Sequence, residues 1–476
     1  MISRTSILLV SCYELGHQPH GLAMPLAFLE RAGFAAETLD LSVEAFDRVR
    51  VGRARFIGVS VPMHTALRLA VQFAQRAREI NPDAHICFYG LYATLNAAHL
   101  LGGAADTVLG GEFEGALVEL VSHLARGSAA VAGPAAAPRP ILERLPFPVP
   151  VRAHLPPLDR YAGLEKDTLR LSAGYTEASR GCLHRCLHCP IPPVYDGRFF
   201  VVPRQAVLED VRAQVRSGAR HITFGDPDFL NGPRHALEVA RALHREHPDV
   251  TFDVTTKIEH ILKHREMFAE LRRLGCVFIT SAVESLSDPV LLRLEKGHTR
   301  ADVGAALDVL DTAGIPMRPS LLPFTPWSTL ADFLELLEFV DRRGLMDQVD
   351  PVQYSIRLLV PPGSSLLARP DTRSWLGPLD EGAFSYRWRH PDSRMDPLHA
   401  AVSRIVERAA CAKEDGALTF DRVRAAARVV AAFPPAGVTG VEQVLLEAAE
   451  RLPAASTRPA PPTRRRPPRL SESWFC

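Results

Sequence analysis

The amino-acid sequence predicts an α/β protein in which a doubly wound parallel sheet is followed by a partial (β/α)6 barrel and a helical C-terminal segment. Three observations predict this fold class. Apolar strand patterns alternate with amphipathic helix patterns in two stretches, a proline-rich segment separates them, and 476 residues suffice for about three domains of ~150 residues. Hydrophobic residues make up 47% and charged residues 23% of the chain, which is typical of folded rather than disordered or fibrous proteins.

The charge balance argues against a nucleic-acid or membrane partner. Lys and Arg number 55 against 54 Asp and Glu, a formal net charge of +1, so no global field attracts polyanions. The apolar opening Ile7 to Val10 is too short for a signal peptide, and no later run reaches the ~18 to 20 apolar residues of a membrane span. We therefore expect a cytoplasmic protein, in which the 8 cysteines are reduced.

The first stretch, residues 1–126, predicts a Rossmann-like sheet. Unbroken apolar runs are typical of parallel strands that are buried on both faces, and helical patterns fill the gaps between them. Ligands of such sheets bind beyond the carboxyl ends of the strands. The predicted strands are Ile7 to Val10, Phe56 to Ser60, His85 to Tyr89 and Thr107 to Leu109.

Two proline-rich segments divide the chain further. Residues 127–160 contain prolines at a density that forbids a helix and favours an extended connector. Residues 452–476 form a second such segment, rich in proline and arginine, which we interpret as a tail. Much of the excess of proline, 39 residues in all, lies in these two segments.

Residues 161–370 predict the barrel, because strand and helix patterns alternate six times. Chemistry in such barrels takes place at the carboxyl ends of the strands. Residues 371–451 are mostly helical in pattern. The predicted barrel strands are Tyr175 to Ser179, His221 to Phe224, Thr251 to Val254, Val277 to Ser281, Met317 to Leu321 and Gln353 to Leu359.

Three cysteines, Cys182, Cys186 and Cys189, follow the first barrel strand in one short loop. Thiolates are the usual ligands of iron-sulfur clusters, and three of them leave one iron of a 4Fe-4S cluster open. Zinc is the alternative, with His184 or His188 as a fourth ligand. Zinc sites usually pair two separate knuckles, however, and the sequence has no second knuckle.

This motif resembles the signature of the radical S-adenosylmethionine (SAM) superfamily, Cys-x3-Cys-x2-Cys after the first strand of a partial barrel. The resemblance implies that the open iron binds the amino and carboxylate groups of SAM, and that an electron from the cluster splits the sulfonium to give an adenosyl radical. It also implies an electron donor such as a flavodoxin or ferredoxin. The cofactors then carry the chemistry, and the protein orients them.

Weaker similarities to the same superfamily suggest four further residues at the SAM site. His188 is expected to stack near the adenine. Asp226 follows the second barrel strand, where many members have a Gly-Gly-Glu segment that meets the SAM amino group. Glu284 and Ser285 resemble a Glu-Ser pair that reaches the ribose or carboxylate, although the beginning of a helix capped by serine explains them equally well.

The N-terminal domain resembles the cobalamin-binding domain of one radical SAM class. Ser60 and Gly90 align with places where that fold approaches the corrin tail, and residues 110–114 resemble its closing Gly-Glu-x-Glu turn. The Asp-x-His-x-x-Gly motif is missing, so no histidine of that motif can ligate cobalt, and cobalamin binding stays open. His17, His20 and His64 are interpreted as loop and cap residues.

The segment Cys189 to Tyr195, Cys-Pro-Ile-Pro-Pro-Val-Tyr, resembles a radical SAM group whose chains end in Cys-Cys-Ala-Glu-Pro or Cys-selenocysteine-Ala-Glu-Pro. The present sequence ends at Cys476, which suggests the hypothesis that a selenocysteine codon was read as a stop. The three bases after the Cys476 codon test it, and any stop codon other than UGA would refute it.

The sequence thus predicts a radical SAM enzyme with an unknown substrate. With cobalamin bound, methyl transfer to an unactivated carbon is the favoured reaction; without it, a radical rearrangement or a peptide modification is equally compatible. The alternative is a non-catalytic protein that uses a zinc or iron-sulfur loop to bind a partner.

Overall fold

The computed structural model describes residues 6–126, 139–166, 169–432, 441–450 and 467–471. Its N-terminal unit is a five-stranded, entirely parallel sheet in the order β2-β1-β3-β4-β5. The strands are β1 (Ile7–Ser11), β2 (Glu37–Asp40), β3 (Phe56–Ser60), β4 (His85–Tyr89) and β5 (Thr107–Leu109). The helices are α1 (His20–Arg31), α2 (Arg48–Arg53), α3 (His64–Ile80), α4 (Leu91–Leu95), α5 (Ala97–Leu101) and α6 (Glu114–Ala125).

The predicted strands of this sheet are confirmed, and one further strand joins them. All residues of β1 and β3 are buried, as expected of central parallel strands that are covered on both faces. Strand β2 carries no apolar run, because Glu37, Thr38 and Asp40 leave Leu39 as its only aliphatic residue. It lies at the edge of the sheet, where sequence periodicity gave no signal for it.

The described part of the connector, from residue 139, contains no α-helix, ends in a 3-10 helix at Leu158–Arg160 and is fixed to the N-terminal sheet. Ile141 donates its N–H to the oxygen of Gly110 and accepts from the N–H of Glu112. Gly111 lies between them with φ +73°, and a Cβ atom there would lie 2.1 Å from the oxygen of Ile141. Only glycine fits at this contact.

The second unit is a curled sheet in the order β13-β12-β11-β10-β7-β6-β16, in which β7, β10, β11, β12 and β13 are parallel. Its strands, with those of the β8-β9 hairpin, are β6 (Gly163–Lys166), β7 (Leu169–Thr176), β8 (Ser179–Gly181), β9 (Phe199–Val201), β10 (His221–Phe224), β11 (Thr251–Thr255), β12 (Cys276–Glu284) and β13 (Met317–Leu321). The helices are α7 (Pro192–Tyr195), α8 (Arg204–Arg216), α9 (Pro233–Glu246), α10 (Ile258–Lys263), α11 (Phe268–Arg273), α12 (Asp288–Arg293), α13 (Arg300–Ala313) and α14 (Leu330–Arg342).

The sixth predicted strand, Gln353 to Leu359, is wrong. Residues 351–355 form a 3-10 helix that begins at Pro351. Within the rest of the predicted stretch, the strand-like pairing is a single bridge between Arg357 and Phe324. The side chain of Gln353 accepts the N–H of Leu321 at 2.8 Å, so an amide side chain replaces the backbone partner that a sixth strand would supply.

The C-terminal region is mostly helical, as predicted, but it begins with a hairpin. The hairpin consists of β14 and β15. The last strand of the region, β16, pairs antiparallel with β6, and Arg469 forms an ion pair with Glu165. Residues 451–466 and 472–476 lie outside the described residues, so the hypothesis about Cys476 and the five segment boundaries stay predictions. The elements are β14 (Leu376–Asp380), β15 (Ser385–Trp388), α15 (Met395–Ala412), α16 (Gly416–Ala431), α17 (Val441–Glu450) and β16 (Arg469–Leu470).

Candidate functional site

The hairpin of β8 and β9 carries the loop with the three cysteines, residues 182–198, which we call the cysteine loop. Cys182 and Cys186 are buried and Cys189 is half-buried, and none of them forms a disulfide. The loop leaves β8 at Gly181, whose φ is +74° and whose missing Cβ would lie 2.4 Å from the oxygen of Arg198. The tight turn therefore requires glycine and brings the three thiols into one small volume.

The electrostatics of these thiols fit a cationic metal cluster. Burial is the largest cause that raises the pKa of Cys182, and it raises the pKa of Cys189 to about 12. Repulsion from the neighbouring thiols raises both pKa values further. Three thiolates in this place therefore need positive charge, and iron supplies it in a cluster. Lys296 is a second source of positive charge, since it interacts electrostatically with Cys186 and Cys189.

The spacing of the sulfur atoms argues against a single zinc ion. Three sulfurs bound to one zinc would lie about 3.8 Å apart, from Zn–S bonds of about 2.3 Å. Among the described residues, the three cysteine sulfurs do not form a group whose atoms all lie within 4.8 Å of one another. The loop is therefore more open than a mononuclear zinc site, as a cluster with several irons requires.

Glu284 stands at the end of β12, in a left-handed conformation with φ +62°. Its Oε1 lies 3.3 Å from Lys296 Nζ and 3.3 Å from His188 Nε2. Burial by itself would raise the pKa of Glu284, but the charges of Lys296 and His188 outweigh it and hold this pKa at about 2. The structure thus joins two predicted residues, His188 and Glu284, through a contact of 3.3 Å at the cysteine loop.

Lys296 was missed as a site residue, because in the sequence it is only a lysine near the end of a helix. Its side chain is 3% exposed, and such burial cannot be read from one sequence. Ser285 accepts a hydrogen bond from the N–H of Ser287 at 3.1 Å, so its hydroxyl is used in the turn that leads to α12.

Asp226 is buried after β10 and holds the start of β8, the strand that leads into the cysteine loop. Its two carboxylate oxygens accept from the hydroxyl of Ser179 at 2.6 Å and from the N–H of Ala178 at 2.9 Å. Burial raises the pKa of Asp226 to about 7, and these two hydrogen bonds lower it only in part. The role of Asp226 toward SAM stays a prediction.

A cavity of about 280 Å³, which we call the cleft, lies between the N-terminal sheet and the barrel. Ser60 and Gly90 both line it, as do residues that follow β1 and β5, so the carboxyl ends of four strands of the first sheet face it. A Cβ at Gly21 would lie 2.2 Å from Ser60 Oγ, which shows how closely the backbone approaches the end of β3. His64 is not among the cleft residues; its Nε2 lies 2.8 Å from the oxygen of Ala383.

The cleft adjoins a second cavity, of about 180 Å³, inside the barrel. Five residues line both cavities and form a shared wall: Leu15, His17, Tyr175, Gly225 and Pro227. His17 packs on Tyr175 with ring centroids 4.8 Å apart. A loop of the first domain therefore closes the mouth of the barrel.

Arg180, two residues before Cys182, connects the cysteine loop to the N-terminal domain. It lies 2.6 Å from Glu114 and 2.9 Å from Glu177. Glu112 accepts a hydrogen bond from the hydroxyl of Tyr195 at 3.1 Å, and burial raises the pKa of Glu112 to about 7. The turn at residues 110–114 thus contacts both ends of the cysteine loop, a link that the sequence did not indicate.

Three ionisable side chains of the cleft are held uncharged, although the ion pairs of Arg180 with Glu114 and Glu177 also line it. Burial raises the pKa of Glu14 to about 8, while it lowers the pKa of His17 to about 4 and that of His20 well below its usual value. Three buried polar atoms of cleft residues have no hydrogen-bond partner among the described residues: His17 Nδ1, Glu114 Oε2 and His20 Nε2, which lies 3.4 Å from the carboxylate of Glu177. Buried polar atoms are normally paired, so the cleft fits a ligand with a polar periphery, such as the amide side chains of a corrin.

Comparison with known protein families assigns both units. The family model of the Radical SAM superfamily matches residues 176–340, and that of the B12 binding domain matches residues 7–121.

Curated relatives cover parts of the chain. It is 25% identical over 333 residues to the hopanoid C-3 methylase of Methylococcus capsulatus, which covers 65% of this chain and 62% of that protein. It is 28% identical over 185 residues to the ribosomal protein uS12 methylthiotransferase RimO of Porphyromonas gingivalis, covering 35% of this chain and 40% of the relative. The chain thus spans less than two thirds of the length of either relative.

Solved structures share the fold. The cobalamin-dependent SAM radical enzyme OxsB, with aqua-cobalamin and SAM bound, aligns with a TM-score of 0.68 at 13% identity, covering 94% of this chain and 78% of that one. The radical SAM methyltransferase TsrM of Kitasatospora setae, with cobalamin and a 4Fe-4S cluster bound, aligns with a TM-score of 0.56 at 18% identity, covering 71% and 73%.

The chain therefore carries a B12-binding domain at residues 7–121, followed by a radical SAM domain at residues 176–340. The cofactors of these domains are a 4Fe-4S cluster, SAM and cobalamin. This confirms the predicted fold class and the enzyme over the non-catalytic alternative. No helix in the described part of the chain has the length and apolar character needed to cross a membrane.

Proposed function

We propose that this enzyme transfers a methyl group to an unactivated carbon of a substrate held in the barrel, with cobalamin in the cleft. The observation that carries the proposal is the wall shared by the cleft and the barrel cavity, formed by Leu15, His17, Tyr175, Gly225 and Pro227. A cofactor on the B12-binding domain and a substrate inside the barrel would meet at this wall. Two relatives are named as a methylase and a methyltransferase, which agrees with this reaction class.

In this proposal Cys182, Cys186 and Cys189 hold the 4Fe-4S cluster. When bound, the cluster and SAM supply reductive cleavage of the sulfonium, and cobalamin supplies methyl transfer. The protein's own task is to hold charge and exclude water. Lys296 stabilises the cysteine thiolates electrostatically, and its ion pair with Glu284 keeps a buried negative charge where the cationic SAM would lie.

The remaining predicted site residues take supporting roles in this proposal. His188 lies beside Glu284 and would face the adenine, while Asp226 fixes the strand that enters the cysteine loop. Ser285 shapes the turn after Glu284. Ser60 and Gly90 would border the corrin, in a cleft whose uncharged Glu14 and His17 suit a ligand rich in neutral amides.

We also propose a small electron donor of the flavodoxin or ferredoxin kind and a cytoplasmic location, where seven described cysteines would stay reduced. Within radical SAM enzymes, the segment Cys189 to Tyr195 favours the group with Cys-Cys-Ala-Glu-Pro or Cys-selenocysteine-Ala-Glu-Pro tails. Tyr195 of this segment donates to Glu112 of the B12-binding domain.

The test is anaerobic reconstitution of the full chain. We expect about four irons per chain, as one cubane cluster requires, a corrin absorption spectrum after cobalamin is supplied, and reductive cleavage of SAM to 5′-deoxyadenosine. With cobalamin loaded, S-adenosylhomocysteine should form as well, because a donated methyl group leaves this product. 5′-Deoxyadenosine alone would favour the radical rearrangement or peptide modification instead.

Cys186→Ala should lose both the cluster iron and SAM cleavage, because two thiolates cannot replace the three that hold the cluster. Cys276→Ala is the matched control, since Cys276 is a buried thiol in β12 outside the cysteine loop. Cleavage retained by Cys186→Ala at the wild-type rate would refute the assignment of the three cysteines.

A further inference from the structure

Three side chains with metal-ligating atoms converge outside the group of cysteines. His184 belongs to the cysteine loop, Asp228 follows β10, and His260 lies in α10. Asp228 Oδ2 is 2.8 Å from His260 Nδ1 and 3.4 Å from His184 Nε2, and all three atoms lie within 4.8 Å of one another. Three elements that are distant in sequence thus direct a carboxylate and two imidazoles at one point.

These three atoms are buried and lack hydrogen bonds of normal geometry. The side chain of Asp228 is 0% exposed and that of His260 is 7% exposed. The other oxygen of Asp228 accepts from the N–H of Leu230 and the hydroxyl of Thr256. Asp228 Oδ2, His184 Nε2 and His260 Nδ1, however, have no hydrogen-bond partner among the described residues. Buried polar atoms left in this state are rare, and a missing ion is one explanation.

The separations match those of ligands around one metal ion. Zinc binds histidine nitrogen and carboxylate oxygen at about 2.0 to 2.2 Å, so two ligand atoms lie about 3.4 Å apart in a tetrahedral site and about 2.9 Å apart in an octahedral one. The 3.4 Å from Asp228 Oδ2 to His184 Nε2 matches the tetrahedral value, while the 2.8 Å to His260 Nδ1 is shorter and would lengthen when a tetrahedral ion binds.

We propose that His184, Asp228 and His260 bind a single zinc ion. Two imidazoles and a carboxylate are a common ligand set of zinc, and the same set binds ferrous iron, which the metal analysis below counts separately. The three ligands leave at least one coordination position for water or a fourth ligand. Glu259 borders the site, with its carboxylate 3.7 Å from His184 Nδ1.

The position of His184 gives the ion a function. His184 lies between Cys182 and Cys186, so an ion bound to it fixes the cysteine loop to β10 and α10. Metal ligands are held within a few tenths of an ångström, so the ion would hold His184 against β10 and α10. The site shares no ligand with the three cysteines, and its absence would leave the proposed function unchanged.

The test uses the full chain, reconstituted anaerobically with iron and sulfide, supplied with Zn²⁺ and passed through a desalting column. We expect one zinc per chain in addition to about four irons. X-ray absorption at the zinc edge should show nitrogen and oxygen neighbours at about 2.0 to 2.2 Å, without the sulfur at about 2.3 Å that zinc in the cysteine loop would show.

His260→Ala and Asp228→Asn should each lower the retained zinc at least fivefold, while the iron content stays unchanged. His264→Ala is the matched control, because His264 lies next to His260 with ring centroids 5.7 Å apart but is not one of the three ligands. His260→Gln serves if the alanine variant does not fold, as judged by circular dichroism.

Three results would overturn the proposal. Wild-type protein that holds four irons but less than a tenth of an equivalent of zinc would show that Asp228 only pairs with the two histidines. Sulfur neighbours around the zinc would place it in the cysteine loop. Equal zinc in all variants would mean that it binds elsewhere.

Discussion

Two buried carboxyl groups, one in each domain, have pKa values that are shifted in opposite directions. Glu284, beside the cysteine loop, has Lys296 and His188 at 3.3 Å and a pKa of about 2. Glu14, in the cleft, accepts the backbone N–H groups of His20 and Gly21, and burial raises its pKa to about 8. The same side chain is therefore ionised in one region and protonated at neutral pH in the other.

The difference between the two pKa values follows from the partners of each carboxyl group. A buried carboxylate stays charged only if a cation compensates its lost hydration, and Lys296 does this for Glu284. Glu14 has only backbone N–H groups, which are weaker than a full charge, so desolvation prevails. The barrel side is thus arranged for a charged ligand, and the cleft for an uncharged one.

The largest expected effect is that of Lys296→Met. Removing the cation leaves Glu284 buried without its main partner, and breaking a buried ion pair from one side costs about 3 to 5 kcal/mol. The free energy of unfolding, measured with denaturant, should fall by this amount. Lys263→Met, at an exposed lysine of α10, should change it by less than about 0.5 kcal/mol.

A double variant sharpens this prediction. Lys296→Met with Glu284→Gln leaves no unpaired buried charge, so it should recover part of the lost stability. If the double variant is as unstable as the sum of the two single variants, the pair is not coupled and the comparison with Glu14 fails.

The next effect is a pH dependence caused by Glu14. Its pKa in the folded protein, about 8, lies above the ordinary value of 4.5, so between these pH values the folded state holds a proton that the unfolded state has lost. Stability from this group is complete below about pH 4.5 and is lost as the pH rises to about 8. The slope is up to about 1.4 kcal/mol per pH unit.

Glu14→Gln should remove this slope, because glutamine resembles the protonated acid and cannot ionise. Melting curves of wild type and variant between pH 5.5 and 8.5 measure the difference. Glu338→Gln, at an exposed position of α14, should follow the wild type. Parallel curves for wild type and Glu14→Gln would mean that Glu14 is ionised throughout.

The smallest effect concerns Asp226, whose pKa of about 7 lies between the two extremes. Ser179→Ala removes the hydroxyl that donates to Asp226 at 2.6 Å, at a cost of about 1 kcal/mol while the acid is protonated. Above pH 7 the carboxylate needs this donor more, so the cost should rise to about 1.5 to 3 kcal/mol. Unfolding at pH 6 and pH 8.5 measures both values, and a constant cost would show that Asp226 does not titrate in this range.

Much of the fold could be predicted because parallel strands that are buried on both faces have unbroken apolar sequences. Strands such as β1, β3 and β10 carry that pattern. Strand β2 does not, since three of its four residues are polar, and the stretch from Gln353 was misassigned because its apolar residues belong to a 3-10 helix and a loop. Whether a segment forms an edge strand depends on the strand with which it pairs, and the local sequence does not show which strand that is.

The sequence by itself determined the cysteine loop and the order of the domains, because the cluster ligands are close neighbours along the chain and spacing alone reveals them. Only the tertiary structure decided which charges surround that loop. Lys296 meets Glu284, Arg180 meets Glu114, and Asp228 meets two histidines, across separations of 12 to 66 residues. The protonation of each group depends on burial and on partners that only folding brings together, so it could not be read from residue types.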